Sequence, residues 1–188
     1  MQNKQTGFTI VELLIVIVVI GILAGITIVA FNGVQVRAEN QKTIVAVKSW
    51  IGILKSYKTL NDRFPTYDAT TDSYAQFPCL GSGYSAGKCM SLNNVNTVGA
   101  GVAYERPEFI SKIQSVSNSI PTPSLQQVIF SNEPMVGAFV NLGGGGTTIS
   151  IGYVLKGSDA QCADLGAGTK NERARSASGV YCGMENIP

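Results

Sequence analysis

The sequence contains no histidine. That removes the commonest general base, the commonest metal ligand and the usual partner of a nucleophilic Ser or Cys. Charge is scarce as well: only 14% of residues carry it and the net is +2, so no strong field exists to hold nucleic acid or acidic lipid by electrostatics alone. The cysteines lack C-x-x-C spacing, which argues against zinc. Asp62, Asp68 and Asp72 lack the glycine and final glutamate of a calcium loop and read as solvated loop residues. The glycines of 81–87 precede no Lys-Ser or Lys-Thr pair, so they form no phosphate cradle. No nucleophile motif, metal site or cofactor site is present, and the chain does not read as an enzyme. Proline is absent between Phe8 and Lys58, so a helix there has only Gly21, Gly25 or Gly33 at which to kink.

What is present lies in two blocks. The first is an apolar run, FTIVELLIVIVVIGILAGITIVAF, from Phe8 to Phe31, broken only by small or hydroxyl residues and one acid, Glu12. A helix needs about 20 such residues to cross a bilayer, so the run suffices. Ahead of it, MQNKQTG carries its one charge on Lys4, which keeps this end cytoplasmic and exports the remainder. The second block holds all four cysteines, Cys79, Cys89, Cys162 and Cys182. Four cysteines allow three pairings, and proximity in the chain favours Cys79 with Cys89 and Cys162 with Cys182. Disulfides place that block outside the cytoplasm, in agreement with the membrane orientation.

An ordinary secretory signal carries its small residues after a shorter apolar core. Here the small residue, Gly7, precedes the run, in the context TG-FTIVELL. This arrangement resembles the class III signal of type IV prepilins. The resemblance implies that a prepilin peptidase cuts between Gly7 and Phe8 and methylates the new amine of Phe8. It also implies a role for Glu12, whose carboxylate otherwise costs on the order of 3 kcal/mol in hydrocarbon: it pairs with the terminal amine of a neighbouring subunit during assembly. A plainer reading places Glu12 at the interfacial end of a simple anchor. The leader has one basic residue where several are common in the family, and the proline kink of many pilins is missing.

Beyond Phe31 the helical period continues through Ile44, Val47, Trp50, Ile51, Leu54, Tyr57 and Leu60, with Lys48, Lys55, Thr59 and Asp62 opposite. One helix is therefore expected from about Phe8 to Asn61, with Trp50 in its packing face. NDRFPT at 61–66 ends it. Residues 79–89 read as a stapled surface loop, and Pro107 to Asn118 as a short amphipathic helix. Strands are expected at 126–131, 135–142 and 147–155, with the glycines of 143–146 as a hairpin turn and GVYC at 179–182 as a last strand.

The expected fold is α+β: a long amino-terminal helix, its first half transmembrane, packed on a small antiparallel β-sheet in the manner of pilins. The expected division is 1–7 leader, 8–31 transmembrane and filament-core helix, 32–62 amphipathic continuation, and 63–188 extracellular β-rich head. The resemblance implies a structural subunit of a type IV pilus, favoured as major pilin over minor pilin and over type II secretion pseudopilin. The filament would serve adhesion, twitching motility or DNA uptake. The partners it implies are other copies in a homo-oligomeric helical filament, prepilin peptidase, the pilus assembly platform and other pilins, the cytoplasmic (inner) membrane before assembly, and a surface receptor or DNA afterwards. A contrasting reading is a membrane-anchored surface protein that never polymerises and binds a ligand through 81–87 or the carboxy-terminal loops.

Overall fold

The computed structural model describes residues 7–65, 77–91, 102–130, 133–142 and 147–188. They divide into two compact units, one reaching to Ala38 and one running from Glu39 to Pro188. Helix α1, Ile10–Asn61, begins in the first and ends in the second. The loop residues Asp68 and Asp72, the leader residues 1–6 and the glycine turn at 143–146 lie outside the described residues.

In the first unit α1 is helical through Gly21, Gly25 and Gly33, and an added Cβ at any of the three would meet nothing within 4 Å. Its large apolar side chains are exposed from Phe8 to Phe31 wherever they are described. A helix satisfies its own backbone, which is why an apolar run can take this form without a protein core around it.

In the second unit the helix turns amphipathic. Val47, Trp50, Ile51 and Leu54 are buried, Ile44 and Tyr57 are partly buried, and Leu60 is 72% exposed, so the packed stripe stops one turn earlier than the periodicity predicts. The helix ends where Asp62 takes a positive φ of 60°, and Phe64 then folds back into the core.

The remaining elements are β1 Lys88–Ser91, β2 Val102–Tyr104, α2 Pro107–Gln114, β3 Gln127–Phe130, β4 Glu133–Val136, β5 Ala138–Asn141, β6 Ile149–Lys156, β7 Thr169–Arg175 and β8 Gly179–Ile187. They form two four-stranded antiparallel sheets, ordered β2-β1-β4-β3 and β5-β6-β8-β7. Strand alternation lets the second sheet serve two cores. Ile149, Ile151, Tyr153, Leu155, Val180, Cys182 and Met184 join the stripe of α1 and Phe109 and Ile113 of α2. Phe139, Val154 and Tyr181 point the other way and join Val128, Phe130 and Met135 of the first sheet.

The expected single strand at 135–142 is two strands in different sheets. Gly137, at φ +66°, turns the chain between β4 and β5, and a Cβ there would lie 2.6 Å from the Tyr84 hydroxyl oxygen. The stapled loop is less superficial than its composition implies, since Leu80 and Tyr84 are buried and the Tyr84 hydroxyl donates to the Leu80 carbonyl at 2.6 Å. Helix α2 stops at Gln114, with its last turn opening through Ser115 and Val116. The last strand runs to Ile187, well past Cys182.

A single hydroxyl links the two sheets at an edge. Ser178 Oγ accepts from the Ile129 N–H at 2.7 Å and donates to the Ile129 carbonyl at 2.9 Å.

Trp50 is the largest fully buried side chain; it stacks on Phe109 with centroids 5.7 Å apart, and its indole N–H donates to the Pro121 carbonyl at 2.7 Å. Trp50→Ala is therefore expected to cost the head about 3–5 kcal/mol, read as a lower denaturant midpoint for the full chain in micelles. A second expectation concerns alkaline pH. Burial holds the phenols of Tyr84 and Tyr153 above the ordinary 10.0 and pushes Tyr181 up to about 12. A raised folded value means the stabilisation is complete below the unfolded value and is lost as pH rises. The midpoint should stay level below pH 10.0 and fall between 10.0 and about 12, with Tyr181→Phe softening the fall.

Candidate functional site

The amino-terminal end of α1 is where the sequence concentrates its unusual residues. Gly7 and Phe8 precede the first helical residue, and Phe8 is 85% exposed. Thr9 then caps the helix. Its N–H and its hydroxyl both donate to Glu12 Oε2, each at 2.8 Å, and the Glu12 N–H donates back to Thr9 Oγ1 at 3.3 Å. This reciprocal pair is a capping box, in which the third residue's carboxylate satisfies a donor that the helix cannot. A negative charge in the first turn also meets the positive end of the helix dipole.

The capping box gives Glu12 a partner within its own chain, so the carboxylate need not wait for a neighbouring subunit to be satisfied. Hydrophobic patterning alone does not single out Thr9. The signal was there, as a Thr followed three residues later by Glu at the front of an apolar run. Past this cap, α1 is long and apolar enough to cross a membrane, and its most apolar stretch has no buried residue.

The second unit fastens onto its part of α1 through polar contacts that hydrophobic periodicity does not reveal. Asn40 Nδ2 donates to the Lys156 carbonyl at 2.8 Å and Oδ1 accepts from the Lys156 N–H at 2.9 Å, so the amide mimics a strand partner at the end of β6. Thr43 Oγ1 accepts from the Ser124 N–H at 3.1 Å. Lys58 Nζ donates to the Thr147 carbonyl at 2.8 Å and stands over the Phe64 ring at 4.9 Å.

Cys79 is bonded to Cys89 and Cys162 to Cys182, with Cα separations of 5.8 Å and 5.5 Å. The first bridge lies in the core shared with the first sheet, and the second ties the segment before β7 to β8 under the helix. Loops of this size gain about 3 kcal/mol per bridge on the chain-entropy account. The described residues hold no free cysteine and no group of three His, Cys, Asp or Glu side chains able to hold a metal ion. Beside 81–87 lies a cavity of about 430 Å3 between Tyr84, Lys88, Leu125, Gln127 and Val136.

The prokaryotic N-terminal methylation motif matches residues 2–28. The chain is 32% identical over 77 residues to type II secretion system core protein G of Aeromonas hydrophila, which is 41% of this chain and 54% of that protein. It is 33% identical over 78 residues to the protein of the same name in Escherichia coli, covering 42% of this chain and 54% of the relative. The chain thus spans about half the length of these curated relatives. Type IV major pilin protein PilA of Myxococcus xanthus is 27% identical over 173 residues, 89% of this chain and 73% of that protein. No solved structure matches the chain.

Thr9→Ala removes the cap while leaving Glu12 in place. It should cost the first turn about 1 kcal/mol, read as roughly fivefold faster amide hydrogen exchange at residues 11–13 in micelles, with the head's denaturant midpoint unchanged.

Proposed function

We propose, from the premise that this chain is a type IV pilin-like protein bearing the N-terminal methylation motif, that it is a prepilin whose processed form polymerises into an extracellular filament through α1. In this reading prepilin peptidase hydrolyses the bond between Gly7 and Phe8 and methylates the Phe8 amine. The observation that carries the reading is the arrangement at the helix head. A glycine and an exposed phenylalanine stand directly before a carboxylate held in the first turn of a helix whose described apolar side chains are exposed as far as Phe31.

Glu12 then has two successive partners. Before assembly the Thr9 hydroxyl and N–H hold it, lowering the cost of carrying it at the membrane. During assembly the methylated amine of a neighbouring subunit replaces them, and neutralisation of the two charges fixes the axial register. The parts are 1–7 leader, 8–31 membrane and filament-core helix, 32–62 its amphipathic continuation, and 63–188 the exported head. The subunit waits in the cytoplasmic membrane and leaves it for the filament, where its partners are other pilins and the assembly platform.

Similarity to a major pilin over 89% of the chain favours the major subunit. The relatives named as type II secretion core proteins support the alternative of a pseudopilin or minor pilin. A reading of another class, a membrane-anchored binding protein that never polymerises, draws on the cavity beside 81–87.

Quantitative mass spectrometry of filaments sheared from cells tests all of these. An abundant chain beginning at methylated Phe8 is the expected result; a processed but scarce one makes it a minor subunit. A chain retained in the membrane with its leader intact overturns the proposal. Glu12→Ala should reduce filament incorporation at least tenfold without changing membrane levels, whereas an anchored binding protein would be indifferent to it.

A further inference from the structure

Strands β6 and β8 do not pair evenly. Ile151 pairs with Met184 but Ile149 pairs with Ile187, so Glu185 and Asn186 together oppose Ser150 alone. This is a β-bulge, a device that re-aims side chains and recurs beside binding sites. Asn186 closes it at a positive φ of 53°, a conformation that Asn tolerates better than most residues.

The bulge opens a cavity of about 190 Å3 lined by Thr148, Ile149, Ser150, Arg173, Glu185 and Asn186. Arg173 Nη2 meets Glu185 Oε1 at 2.5 Å, which cancels the charge of the site. Arg173 Nε and the neighbouring Asn171 Oδ1 are both buried and lack hydrogen-bond partners. Both atoms lie within 2.4 Å of where a Cβ on Gly183 would stand, so only glycine leaves room for them.

The chemistry of the lining selects the ligand class. With its two charges paired the site gives neither an anion nor a metal cation a net attraction, and one carboxylate is too few ligands for the latter. An apolar ligand finds almost no apolar wall. A neutral molecule with several hydroxyls fits the lining: its hydroxyls donate to Glu185 and accept from the Arg173 guanidinium, while Ser150, Thr148 and Asn186 offer both kinds of bond. We propose that the bulge between β6 and β8 is a binding site for a neutral saccharide. The site belongs to the head and does not rest on the filament reading.

The test is amide NMR of the isotopically labelled full chain in phosphocholine micelles, which carry no sugar headgroup. The probes are methyl α-glucopyranoside, methyl β-galactopyranoside and N-acetylglucosamine, with inorganic phosphate and calcium as controls. The expected result is saturable shifts from at least one sugar at millimolar concentration, centred on residues 148–150, 173 and 185–186. Ser150→Ala and the exposed Thr148→Val, each with a spectrum otherwise like the parent, should weaken that binding about tenfold, and Glu185→Gln more. Shifts from none of the sugars, shifts only from phosphate or calcium, or equal sugar binding by the variants would each overturn the proposal.

Discussion

A helix that is apolar on every side from Phe8 to Phe31 has no stable place in water, and the other features of the chain are arranged around that constraint. Hydrocarbon tails or another apolar protein surface can cover it. Both demand that its one acid be managed. The capping box does this locally, by giving Glu12 two hydrogen bonds from Thr9 that cost the helix nothing in continuity. The bonds are exposed and short-range, so a stronger charged partner can displace them. A carboxylate poised in this way is held without being committed, which is what the proposed exchange of partners asks of it.

The head solves the opposite problem. Its share of α1 has an apolar stripe narrow enough to be covered by one face of the second sheet, and Trp50 anchors the fit by stacking and by a buried hydrogen bond. Polar contacts at Asn40, Thr43 and Lys58 then spread the attachment along about five turns of helix. Because the sheet has a second buried face, the first sheet and its disulfide rest on the same strands that hold the helix.

Much of this was legible in the sequence, and the gaps have identifiable causes. Long periodic stretches declared themselves: α1, the inward face of β6 from Ile149 to Leu155, and the segment around GVYC. Strand β7 did not, since TKNERAR has no apolar alternation; it is an edge strand, paired only with β8 and charged along its length. Strands β1 and β2 are short and sit in a Ser- and Gly-rich context, ordered by the neighbouring bridge more than by their own propensity. The split between β4 and β5 hid behind a continuous apolar run, and Gly137 was its one local mark. At the helix head, Glu12 stands out in the sequence as a charge in an apolar run, whereas Thr9 reads as one more tolerated hydroxyl until its bonds to Glu12 are seen. The polar bulge at Glu185 and Asn186 depends on register between strands far apart in sequence, which no local pattern encodes.

The clasp made by Ser178 has a wider meaning for the proposed filament, in which copies would gather at high local density. A free strand edge is a template on which another chain can lay down its own backbone, and misdirected growth of that kind ends in amyloid-like stacking. At Ile129 the outward N–H and carbonyl are both occupied by one hydroxyl from the far side of the head. The head thereby withholds its backbone at this point from β-addition by a neighbour.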